Sequence, residues 1–269
     1  MPRHISISQI NMFGRCAEQW RRRYLERDIF PPGIAAHVGS GVHFAAEVNY
    51  RPKIDTGEDQ PLDVLTDAAA EKYEQKVRDG VFIPREQRAS AMSDIAKGKD
   101  RAVSLTRVYA GVIAPTMRPA YVEERVELEV DGLPVPFLGI LDCLGVDNHL
   151  SDLKTSSRKW NQSRADHELQ PTLYQQLVKE LTGAPPTAIT FDILVAAKRL
   201  AAQRVLTTRN DEDFAILIQR ARLMIKQIDA GIFPPAQPGA WICSPKWCGY
   251  WWSCPHIPPH KKILPPAGV

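Results

Sequence analysis

The last forty residues of this chain can be neither a helix nor a central strand. Residues 230–269 hold nine of the 22 prolines and four of the six tryptophans. Proline removes a backbone donor and fixes φ, so this density breaks helices and interrupts sheet ladders. Something other than regular secondary structure must hold the segment. Cys243, Cys248 and Cys254, within twelve residues of one another, are the candidates. A fourth cysteine, Cys16, lies near the N-terminus, and the fifth, Cys143, stands alone. Met1-Pro2-Arg3-His4 leads into no apolar signal core, and an odd cysteine count without one argues against a disulfide framework. Clustered thiols in a reducing compartment point instead to a metal or an iron-sulfur cluster. Cys143, on an apolar segment, is expected to be a buried small hydrophobe.

The chain of 269 residues, 44% hydrophobic, can bury a sizeable core, and no run approaches the 18 to 20 apolar residues of a membrane span. The expectation is a soluble cytoplasmic protein of a bacterial or phage-infected cell, without a membrane partner. Its net charge of +3 conceals a division. Residues 1–27 carry six arginines against Glu18 and Glu26, and residues 230–269 carry three lysines and no carboxylate, so the middle is net acidic. If the cysteines at the two ends meet, Arg21 to Arg23 and Lys246 are expected on one side of the molecule, a local surface for an anionic ligand.

Ser6 and Gln9 are spaced as a capping box. After them Ile10, Phe13, Ala17, Trp20 and Tyr24 form one buried helical stripe, with Cys16 and Trp20 on a shared face. Pro31-Pro32-Gly33 breaks this element, and Gly39 to His43 lead into a second helix that carries His43 and Glu47 one turn apart. Residues 61–79 and 86–114 read as helices. The period then changes to two: residues 122–130, 137–144 and 150–155 read as an antiparallel meander. A helix over 168–181, strands over 188–196 and 204–208, and an amphipathic helix over 211–230 complete the pattern. The whole, 1–269, reads as one α/β domain. Its parts are an N-terminal helix (1–30), a helical region (36–115), a sheet-bearing core (119–230) and the cysteine tail (231–269).

Asp142 ends Gly139-Ile140-Leu141-Asp142, and ten residues later comes Asp152-Leu153-Lys154. In neighbouring strands the two carboxylates can converge, and strand alternation puts Asp152 and Lys154 on one face. Two carboxylates and a lysine on an apolar sheet are costly unless a cation compensates, and carboxylate oxygens suit magnesium or manganese. His43 supplies a further ligand, and Gln170 and Tyr174 lie one helical turn apart just after the third strand. Glu47 and the Glu123-Glu124 pair have two readings, as further members of the metal site or as residues of a solvated face, and the solvated face is expected for each. Trp241, Trp247, Tyr250, Trp251 and Trp252 have two readings, as rings that stack single-stranded bases or as packing around the cysteines, and packing is expected for most.

In order and spacing, Gly39 to His43, Gly139 to Asp142, Asp152-Leu153-Lys154 and Gln170-Pro171-Thr172-Leu173-Tyr174 resemble the motifs of PD-(D/E)xK nucleases of the RecB type. The nearest subgroup is the small phage-type exonucleases akin to CRISPR-adaptation nucleases. The resemblance implies a mixed sheet flanked by helices, with a helical N-terminal region and a cysteine-cluster tail. It implies His43, Asp142, Asp152 and the main-chain carbonyl of Leu153 as ligands of Mg2+ or Mn2+. It makes Asp142, Asp152, Lys154, Gln170 and Tyr174 catalytic, with Lys154 orienting water and Gln170 and Tyr174 positioning the strand. It implies Cys16, Cys243, Cys248 and Cys254 as ligands of a 4Fe-4S cluster, for which spacing alone equally permits zinc. The implied function is a metal-dependent DNA exonuclease in recombination, repair or phage DNA processing. It would act on ends or single strands, and similar enzymes often work with a helicase, annealing protein or other recombination partner. The rivals are a catalytically idle DNA-binding recombination subunit and a restriction-type endonuclease with a structural zinc.

Overall fold

The alternating segments in the middle of the chain build a five-stranded sheet in the order β1-β2-β3-β4-β5. The computed structural model describes residues 2–262, so the end of the tail expected over 231–269 lies outside the described residues. The strands are β1 (Pro119–Leu128), β2 (Phe137–Gly145), β3 (His149–Ser156), β4 (Ala188–Val195) and β5 (Ala201–Thr207). The expected meander is present, since β1/β2 and β2/β3 pair antiparallel. β4 then pairs parallel to β3, and β5 antiparallel to β4, which makes the sheet mixed. Ile189 to Val195 is buried throughout, as a strand covered on both faces requires.

One face is covered by α1 (Ile7–Arg15), α2 (Ala17–Tyr24), α7 (Gln170–Thr182) and α8 (Asp211–Asp229), through Phe13, Trp20, Leu141, Leu150, Leu177 and Met224. The other is covered by α3 (Ile34–Thr56), α4 (Leu62–Arg78) and α5 (Ala91–Val108), through Val42, Tyr73, Leu105, Val122 and Leu153. α3 and α4 approach closely at Gly41, where a Cβ would lie 2.7 Å from the Ala69 carbonyl oxygen. α8 opens on a capping box between Asn210 and Asp213, and acidic residues fill its first turn, which suits the helix dipole. A short helix without a clear sequence signal, α6 (Gln162–His167), precedes α7, and Pro171 falls in the first turn of α7 as expected.

The N-terminal stripe differs from its reading in one place. The chain breaks at Cys16, whose backbone is extended (φ −168°, ψ 98°), so α1 and α2 are separate helices and Cys16 does not share a helical face with Trp20. A helix start leaves its first N–H groups unpaired. Here the Pro234 carbonyl accepts from the N–H groups of Ala17 (3.0 Å) and Glu18 (3.4 Å). The tail thus completes the helix end that the cysteine interrupts. The capping box is half made. Ser6 accepts from the Gln9 N–H, but the Gln9 side chain donates to the His4 carbonyl.

Candidate active site

β2 and β3 pair at only two positions, Cys143 with Ser151 and Leu144 with Leu150, and then diverge. The divergence strands backbone groups that a continuous ladder would have paired. Asp142 replaces part of that ladder, because its Oδ2 accepts from the Leu153 N–H at 2.9 Å. On the β2 side the same oxygen lies 3.5 Å from Nδ1 of His43, carried by α3.

A third group completes this cluster. His43, Glu123 and Asp142 each offer one ligand atom, all within 4.8 Å of one another, and no other such group occurs among the described residues. With Leu153, Ser151 and Tyr50 they line a space of about 10 Å³, room for one small ion or water. Glu123 is therefore not on a solvated face. It reaches the cluster from β1 with φ at 50°, a left-handed conformation that costs a non-glycine residue about 1–3 kcal/mol. Burial and the nearby Asp142 and Glu47 charges raise its carboxyl to about 7. Glu47 itself is held by Arg51 at 2.8 Å.

Asp152 sits across the divergence and outside that triplet. It is 2% exposed, and neither carboxylate oxygen has a hydrogen-bond donor in good geometry. Its one charge partner is Lys154, with Nζ 2.5 Å from Oδ2. Burial raises the Asp152 carboxyl to about 7, against the pull of Lys154. Burial alone would lower Lys154, but the charges of Asp152 and Asp142 outweigh it, so the ammonium stays protonated. From Lys154 a chain of polar contacts runs into α7. Nζ donates to Gln170 Oε1 at 3.0 Å, and Gln170 Nε2 donates to the Tyr174 hydroxyl at 2.8 Å. α7 lies close on β2 because residue 139 is glycine: a Cβ there would stand 2.4 Å from Leu177 Cδ1 and 2.9 Å from Tyr174 Cε1.

The donors suit a hard divalent cation: one imidazole nitrogen and two carboxylates within ligand reach, with a further buried carboxylate, Asp152, beside them on Lys154. Without a cation, burial first and the neighbouring Asp142 charge after it hold the carboxyls of Glu123 and Asp152 up.

The four expected cysteines also come together, at the far end of α1. Cys16, Cys243, Cys248 and Cys254 line one cavity of about 330 Å³, with Trp251 at its wall. Burial and the mutual charge of the four thiols raise Cys243, and raise Cys248 to about 11. The tail is tied to the N-terminal region by Arg22, which donates to Ser253 Oγ at 2.9 Å and lies over the Tyr250 ring, and by the Tyr250 hydroxyl on the Asp28 carbonyl. Arg23 lines a cleft with Trp247, the neighbour of Lys246, so both basic ends meet on this side. Arg21 is taken up by Glu18 and Glu26. Cys143 is buried among apolar side chains, and burial pushes its thiol up.

A His-Glu-Asp group able to hold a cation lies where two strands of a mixed sheet separate, with a buried Asp-x-Lys beside it. The family model described as the PD-(D/E)XK nuclease superfamily matches residues 4–255, and the chain belongs to that superfamily. It is a nuclease of a group that uses divalent metals, and DNA is the substrate this membership implies. Among solved structures, a candidate exonuclease from Eubacterium rectale is 15% identical, with 98% of this chain and 90% of that chain covered and a TM-score of 0.51. At that identity the likeness speaks for the fold. The structure of SSO0001 is also 15% identical over 98% of this chain and 89% of its own, with a TM-score of 0.44. No curated protein matches the chain. No helix among the described residues is long and apolar enough to cross a membrane.

Proposed function

We propose that this nuclease is a magnesium- or manganese-dependent DNA exonuclease that works from ends or on single strands, in recombination, repair or phage DNA processing. The observation that carries the catalytic reading is Asp152. A fully buried carboxylate whose charge partner is the Lys154 ammonium, placed in β3 just past the point where β2 and β3 separate, is stable only as part of a charged centre. His43, Asp142, Asp152, the Leu153 carbonyl and, from its position, Glu123 would hold the cation. Bound there, it would polarise the phosphate and make a water more acidic.

The rest follows from the chain's own groups. Lys154, kept cationic by Asp152 and Asp142, offsets charge that develops on the phosphate and orients the attacking water. Gln170 fixes the lysine through one end of its amide and Tyr174 through the other, so the ammonium has one place to be. Purified protein is expected to cleave DNA with magnesium or manganese and to stop with chelator. Lys154→Ala is expected to lower the rate about hundredfold or more while DNA binding persists. Wild-type protein that binds DNA and never cuts it would mean the idle binding subunit. Cleavage confined to internal sites would mean the endonuclease.

Cys16, Cys243, Cys248 and Cys254 are assigned to a 4Fe-4S cluster that staples the tail. The four thiols line one cavity of about 330 Å³, which supports a single shared inorganic group there, and the cluster is preferred over zinc on the resemblance. A brown anaerobic preparation that contains iron supports the assignment, and a colourless one with stoichiometric zinc overturns it.

A further inference from the structure

The five rings of the tail do not share one role. Tyr250 is buried against Phe30, with centroids 5.0 Å apart. Trp251 lines the cysteine cavity, and Trp252 lies under Arg85 at 4.0 Å. These three pack. Trp241 and Trp247 stand apart: they are 67% and 53% exposed. We propose that Trp241 and Trp247, with Lys246 and Arg23 beside them, form a stacking surface for single-stranded nucleic acid on the outside of the tail. Its occupant rests on the nuclease reading, whereas its existence rests on the following geometry.

The two indoles form one patch, edge to face, with centroids 5.5 Å apart and planes at 88°. Single exposed apolar residues are ordinary on a surface, but two adjoining indoles leave a large apolar area in water. They are held in place. Ser244 Oγ donates to the Trp241 carbonyl at 3.0 Å, and the Ser244 carbonyl accepts from the N–H groups of Trp247 and Cys248. Cys243 and Cys248, at the cavity wall, flank this turn. A ring presented in this way loses little freedom when a ligand stacks on it.

Trp247 also forms one wall of a cleft of about 150 Å³, shared with Met12, Gln19, Arg23, Phe30 and Tyr250. That is room for a flat aromatic ligand beside the Arg23 guanidinium.

Charge selects the occupant. Arg21 and Arg22 are engaged by Glu18, Glu26 and Asp28. Arg23 and Lys246 form no ion pair among the described residues, and residues 230–269 contain no aspartate or glutamate at all. Lys246 Nζ lies 5.4 Å from the Trp247 ring centroid, so cation and π-face are offered together. Exposed rings with unneutralised positive charge match a polyanion whose units have π-faces, which is single-stranded nucleic acid.

The test uses the full chain with divalent metal chelated, so that binding is read whether or not the protein cuts. Labelled oligo(dT) is compared by anisotropy with an abasic sugar-phosphate oligomer of the same length and charge. Wild type is expected to bind oligo(dT) at least about tenfold tighter than the abasic strand, because stacking on each ring is worth about that much. Trp241→Ala combined with Trp247→Ala is expected to bring the two ligands near parity, and Trp247→Phe to keep most of the preference. Equal binding of both strands by wild type, or full preference in the double alanine variant, overturns the proposal. So does a Phe variant as defective as the Ala variant, since that would mark a structural role. A protein that binds with this preference but never cuts would sink the nuclease reading alone.

Discussion

The cleft between β2 and β3 and the cysteine cavity bring distant residues together by opposite means. In the first, strand pairing sets where each side chain goes, and the site opens where the pairing stops, beyond Cys143 and Ser151. In the second, almost no regular structure contributes. A proline-rich segment is held by turns, by two N–H groups on the Pro234 carbonyl and by four thiols on one cavity. A site built on a sheet can lose a side chain and keep its fold. A site that is itself the tether cannot, because ligand binding there acts as folding energy.

The contrast breaks most readily at the tether. Cys16→Ala is expected to cost several kcal/mol and release the tail, seen as a melting temperature lowered by about ten degrees or more and as proteolysis within residues 231–262. A variant that melts and cleaves like wild type would end the idea of a staple. In the sheet site the balance is reversed. Lys154→Ala should leave the fold standing, with the melting temperature lowered only by the loss of Asp152's buried charge partner, while cleavage falls as stated above.

Gly139→Ala tests the close approach of α7. Its added methyl, 2.4 Å from Leu177 Cδ1, is expected to cost about 1–3 kcal/mol and to disturb Gln170 and Tyr174, so chemical denaturation and turnover should both worsen. A pH series probes the carboxylates. Glu123 and Asp152 are held at about 7, above their unfolded values near ~4, so the folded state binds more protons there. Their contribution to metal-free protein is complete below the unfolded values and is lost as pH rises through about 7. The melting temperature of chelated protein should therefore fall between pH 5 and pH 8, recover on addition of manganese at pH 8, and fall less in Glu123→Gln. The smallest effect belongs to Ser6→Ala, which loses the cap on Gln9 and is expected to cost about 1 kcal/mol without altering cleavage.

What the chain reveals before folding follows the same division. The strands were legible because a period of two states both the element and its buried face. The motif residues were legible because His43, Asp142, Asp152, Lys154, Gln170 and Tyr174 stand at the ends or on fixed faces of such elements. Glu123 was legible only as the less favoured of two readings, since a Glu-Glu pair in a strand usually points one carboxylate to water. Only the left-handed backbone at residue 123, invisible in composition, turns it inward. The break at Cys16 was hidden for a related reason. The apolar spacing from Ile10 to Tyr24 suits one continuous helix, and the Pro234 carbonyl that makes interruption tolerable lies more than two hundred residues away.

The central claim is that the buried Asp152 belongs to a cation-dependent cleavage centre. It is tested most directly by counting bound manganese and measuring DNA cleavage on the same samples of wild type and Asp152→Asn. The account predicts that wild type binds manganese and cuts, while Asp152→Asn stays folded, binds the ion far more weakly and cuts at least about hundredfold more slowly. Cleavage by Asp152→Asn at the wild-type rate, with the same manganese content, would contradict it.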